Sequence, residues 1–211
     1  MNPRPQTAGT AGIIAGVLLA VLLILFMTSG MRPEAMADPG KMMAYAGQNA
    51  GRWRNMAFLG ILTTIAAVFY FPGLAARLRD RTPSRATGVL YFGILGIGGH
   101  GLGAALQWAG DPLVAGASDA VAASHAWVAL NAVHAGLETF GSIGTGLVML
   151  LAGWAAMTSK AFSPGVAWVG LVGGIVTLVS VLRPPGPLFL LSFLLSILFL
   201  IWSGLELRKA K

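Results

Sequence analysis

Between positions 131 and 145 the chain reads Asn-Ala-Val-His-Ala-Gly-Leu-Glu-Thr-Phe-Gly-Ser-Ile-Gly-Thr. On a helix turning about 100° per residue, Asn131, His134, Glu138, Ser142 and Thr145 share one face. An imidazole and a carboxylate four residues apart can touch, so His134 and Glu138 form a candidate acid–base pair. The same two groups suit a notch that takes a polar or cationic ligand. The plainest alternative is a structural hydrogen bond. A second stripe, Gly93, Gly96, His100, Gly103 and Gln107, carries two more polar side chains on a face lined by glycine. Small residues let helix backbones approach closely, which turns His100 toward a neighbouring helix.

Other chemistries fit less well. A haem needs two axial ligands at similar depth. His100 lies about seven residues inside its apolar run, roughly 10 Å along a helix, while His134 sits at or beyond the end of the next run. A zinc ion needs three or four ligands, and His134 with Glu138 supplies two. His125 falls on the opposite side of a continuous helix and joins them only if that helix breaks. The chain has no cysteine, so thiolate chemistry and cysteine metal sites are excluded. Gly96-Ile-Gly98-Gly-His-Gly101 fits G-x-G-x-x-G, yet no strand precedes it and no ribose-binding acid follows. The methionines from Met36 to Met56 are scattered, as for insertion among headgroups rather than copper binding. No cofactor is expected.

The elements that must position these residues are membrane helices. Of 211 residues 56% are hydrophobic and 10% charged, with mean hydropathy +0.76. Soluble domains carry about 25% charged residues. The net charge of +7 does not point to nucleic acid, because the basic residues stand at the ends of apolar runs, where lipid headgroups lie.

Hydropathy predicts one all-α domain over 1–211 with six spans, at about 8–28, 55–76, 87–108, 135–157, 164–182 and 188–205. The first reads as an uncleaved span rather than a signal peptide, because its apolar run is long and Ala35-Met36-Ala37 lies well beyond it. A short helix is expected over Lys41–Asn49, near the headgroups and placed to act as a lid. Residues 109–120, with Asp111 and Pro112, read as a loop. Residues 121–157 are too long for one span, and an interfacial helix near 120–132 followed by a span from 135 is the favoured division. Ser163-Pro164 reads as an N-cap pair, and Arg183-Pro-Pro-Gly-Pro187 as a tight reversal.

Six spans put both termini on one side. About nine near-span Lys and Arg lie on that side against about five opposite, which predicts cytoplasmic termini. The polar stripes would then open outward.

The run Lys41-Met-Met-Ala-Tyr-Ala-Gly-Gln-Asn49-Ala-Gly-Arg-Trp-Arg-Asn55, the basic loop closed by Pro83, and Gly153-Trp154 followed by Ser159 and Pro164 resemble a family of small bacterial six-helix membrane proteins known only as a domain of unknown function. The resemblance covers most of the chain. It implies the fold and a bacterial inner-membrane location, and it carries no catalytic residues.

The expectation is therefore a membrane protein with an outward-facing notch lined by His100, Gln107, Asn131, His134, Glu138, Ser142 and Thr145. The notch would bind or pass a small amphipathic ligand or lipid. Alternatively the chain serves as an accessory subunit in a homo-oligomer or larger membrane complex. The rival reading is a membrane enzyme using His134 and Glu138, and a further one is a haem or metal protein.

Overall fold

A computed structural model describes residues 4–30, 38–182 and 186–209. The helices are α1 (Pro5–Met27), α2 (Pro39–Gln48), α3 (Ala50–Arg79), α4 (Pro83–Ala115), α5 (Ala120–Ser159), α6 (Pro164–Val181) and α7 (Pro187–Lys209). All but α2 are long and apolar enough to cross a membrane, and the described residues contain no strand. The protein is an all-α polytopic bundle.

The six spans form a ring. Each packs on its neighbour in sequence, and α7 closes the ring against α1. Gly9 of α1 lies against Gly204 and Arg208 of α7, so both ends of the chain meet at one end of the bundle. The opposite end is capped by α2, which packs on α3, α4 and α5. Lipid tails are as apolar as leucine, so spans associate through close packing and hydrogen bonds rather than hydrophobic burial. Tyr70, Leu74, Leu78, Val89, Val148, Met149 and Phe199 fill the interior. The buried Tyr70 hydroxyl pairs with Ser203 Oγ at 2.6 Å, which leaves no lone polar group there. Leu102, Phe140 and Leu194 stay on the lipid-facing perimeter.

Two boundaries differ from the sequence reading. The expected loop at 109–120 is mostly helix, because α4 runs through Asp111 and Pro112 to Ala115. Asp111 is buried and accepts a hydrogen bond from Trp53 Nε1 at 2.5 Å, which ties that last stretch to α3. Likewise, the division of 121–157 into two helices is overturned: α5 is one continuous helix of 40 residues. Asp119 caps it through bonds from the Val121 and Ala122 amides. Trp127 is buried with Trp53 and Ala46 beneath α2, and this packing holds the weakly apolar first half in line. The expected helix near 41–49 is α2, capped by Asp38. Ser163 caps α6 as expected. Ala35-Met36-Ala37 and Arg183-Pro184-Pro185 lie outside the described residues.

Candidate functional site

The seam between α4 and α5 is built on glycine. A Cβ at Gly99 would stand 2.4 Å from the Gly141 amide nitrogen, and one at Gly144 2.5 Å from that of Gly96. At such spacing the backbones touch, so any larger side chain on the seam must lie along it. Glu138 does so. Its Oε1 would be 2.6 Å from a Cβ at Gly103, so the missing side chain at 103 makes room for the carboxylate.

Three polar side chains gather there. Glu138 Oε2 bonds His100 Nδ1 at 2.8 Å across the seam. His134, one turn further along α5, bonds the Gly103 carbonyl oxygen through Nδ1 at 3.1 Å. A carbonyl only accepts, so His134 Nδ1 carries a proton, and in the neutral ring its Nε2 is an acceptor. Glu138 Oε1 has no hydrogen-bond partner among the described residues. The His100 and Glu138 side chains remain 35% and 38% uncovered, so the pair lies at the bundle surface rather than in a sealed core. Asp111 lies within electrostatic reach of His134 and brings a second carboxylate toward the cap end of the seam.

The structure pairs the stripe residues differently from the expected His134–Glu138 contact. His134 and Glu138 do not bond each other; each takes a partner on α4. The facing helix presents a histidine ring and a backbone carbonyl at the required depth, and these satisfy both side chains. Thr145 joins the seam one level deeper, 3.0 Å from where a Gly96 Cβ would stand. Gln107, Asn131 and Ser142 are half-buried and make no hydrogen bond to the other stripe residues among those described.

Spacing along α5 sets the depth. Between Lys160, at its end, and Glu138 lie 22 helical steps, roughly 33 Å, against a hydrocarbon thickness of about 30 Å. His100, His134 and Glu138 therefore sit about one bilayer thickness from the basic end of the molecule. His125 is exposed, away from the group. No three His, Asp or Glu side chains among the described residues come together as a metal-binding set. Because α4 and α5 touch at Gly99 and Gly141, a macrocycle held by His100 and His134 would have to part them.

Sequence reasoning missed the cap. Trp53, Asp111 and Trp127 sit above the seam, with Met42, Met43 and Tyr45 of α2 against them. Tyr45 meets Trp53 edge-on at 5.9 Å between ring centres. The available signal was Asp111 itself, an acid with no local basic partner and a tryptophan in the preceding span. At the other end Arg81 and Arg85 are committed to the chain. Arg85 donates to Thr158 Oγ1 at 2.6 Å and stacks over Trp154, while Arg81 donates to the Ser159 carbonyl. Two open hollows of about 400 Å³ lie at that end, one beside Arg81 and Arg85 and one beside Gln6, Thr10 and Arg208.

A ring of six apolar helices with a capped polar seam defines a multi-pass membrane protein. The chain belongs to a family described as a domain of unknown function, DUF4386, whose sequence model matches residues 14–204. No curated protein and no solved structure matches the chain.

Proposed function

We propose that the chain is a membrane-embedded binding protein whose site is the α4–α5 seam beneath the cap. The observation that carries this reading is the Glu138 carboxylate, turned onto Gly103 with one oxygen bonded to His100 and the other free. At the cap-side boundary of the bilayer an ionisable pair can face water or a ligand. A purely structural pair would more economically be closed over, yet more than a third of each partner is uncovered. Leu102 and Phe140, exposed on the lipid-facing perimeter of α4 and α5, offer apolar surface for the tail of a small amphipathic ligand.

The orientation follows from charge. Arg77, Arg79, Arg81, Arg85, Lys160, Arg208 and Lys209 gather at the end that holds both termini, which supports a cytoplasmic reading of that end, with the cap outside a bacterial inner membrane. In this orientation α2 is the lid. The reading holds whether the chain works alone, as a homo-oligomer or beside a larger complex. A second reading, a membrane enzyme, gains from the same 2.8 Å bond, but its acid–base pair would be His100 with Glu138.

Mass spectrometry of small molecules retained on purification tests the proposal. The wild-type protein should carry a molecule that Glu138→Gln lacks while unfolding at the same temperature. Equal content in both would reject the site.

A further inference from the structure

We infer that the seam selects an amphiphile with an N–H-bearing cationic head, a primary or secondary ammonium. The inference rests on the binding reading above and names the ligand class for that site.

Hydrogen-bond direction leads to it. In the neutral rings His134 uses its proton on the Gly103 carbonyl, and His100 uses its own on the Glu138 carboxylate. Each Nε2 is then a lone pair, and Glu138 Oε1 adds a free anionic acceptor. The groups converging on Gly103 therefore offer acceptors and a negative charge. Among the described residues no lysine or arginine pairs with Glu138, whose partner is the His100 ring. At the cap end Lys41 pairs with Asp38, Arg52 donates to the Leu25 carbonyl and Thr28 Oγ1, and Arg54 lies over the Trp108 ring.

A ligand head that completes this set must donate hydrogen bonds and carry positive charge. An ammonium with at least one N–H does both, through a charge-assisted bond to Oε1. A carboxylate or phosphate head would meet like charge. A quaternary ammonium has no proton to give and is held by aromatic faces. Phe140, two positions on, stands about 160° round α5 from Glu138 and forms no cage for it. The apolar tail would lie along Leu102 and Phe140.

Dodecylammonium, dodecyltrimethylammonium, dodecanol and dodecanoate share one tail and differ only in the head. Each would be titrated calorimetrically into the full chain in phosphatidylcholine nanodiscs, with empty discs subtracted, so that the lipid itself carries no net charge. The expected result is saturable binding of dodecylammonium at least about tenfold tighter than dodecanol or the trimethyl compound, since one charge-assisted hydrogen bond is worth about that factor. Glu138→Gln should erase the preference and Glu138→Asp should keep most of it, both variants unfolding at the wild-type temperature. Saturable, Glu138-dependent binding with no preference for the ammonium head would overturn the inference and leave the binding site standing. Absence of Glu138-dependent binding for all four would overturn both.

Discussion

Helix α5 makes two glycine seams, and they differ in one respect. Toward α4 the contacts run through Gly141 and Gly144 against Gly96 and Gly99. Toward α6 they run through Gly146 and Gly153 against Gly170 and Gly174, equally close. The α6 seam is apolar at these contacts, its flanks filled by Met149, Leu150 and Leu178. The α4 seam carries His100, Glu138, His134 and Thr145. Close packing alone would be served by the first design. The second spends the room left by Gly103 on a carboxylate, and that difference points to a site.

Both seams should fail alike when filled. Gly99→Leu or Gly174→Leu drives a side chain into backbone 2.4–2.5 Å from the glycine's Cβ position, so each should cost at least about 3 kcal/mol. Thermal unfolding in detergent would read it; a mild effect at Gly99 would mean that the α4 seam is already loose. A smaller loss is expected at the cap. Trp53→Phe strips the donor from buried Asp111 and should cost about 1–3 kcal/mol. Hydrogen exchange should then rise in α2 and the first half of α5, with α6 unchanged.

Smaller still is the effect of Glu138→Gln on stability. The pair is partly exposed, so less than about 1 kcal/mol should be lost. A binding defect without a folding defect is the signature that separates a site from a strut. The least effect concerns Asp38, whose carboxyl is held below its ordinary value of 3.8 chiefly by the Lys41 backbone amide. A depressed acid stabilises the fold above its unfolded value and loses that contribution as pH falls through the folded one. The first turn of α2 should therefore fray only in acid, below about pH 4, and Asp38→Asn should remove this dependence. Backbone amide exchange at Gly40 and Lys41 would follow it.

Much of the bundle was legible because hydropathy and length alone define a span. Ser163-Pro164 announced the start of α6, and the glycine stripes announced which faces pack. The extent of α4 was not legible. Asp111-Pro112 has loop character, and the stretch is tied down by Trp53, 58 positions away, which the local sequence does not reveal. Nor was the continuity of α5, which depends on Trp127 burying beneath α2. The stripe from Asn131 to Thr145 could be drawn from periodicity, but the choice of partners could not. Local spacing offered His134 to Glu138, and His100 and the Gly103 carbonyl of the facing helix took their places.

The contrast between a polar seam and an apolar one has a direct chemical test, because the chain has no cysteine of its own. Ser142→Cys, half-buried beside the α4 seam, and Thr177→Cys, buried in α6, would each carry a unique thiol. A membrane-impermeant thiosulfonate added from the cap side should modify position 142 and leave 177 intact. If 142 is as inert as 177, the seam holds no water and the central claim is wrong.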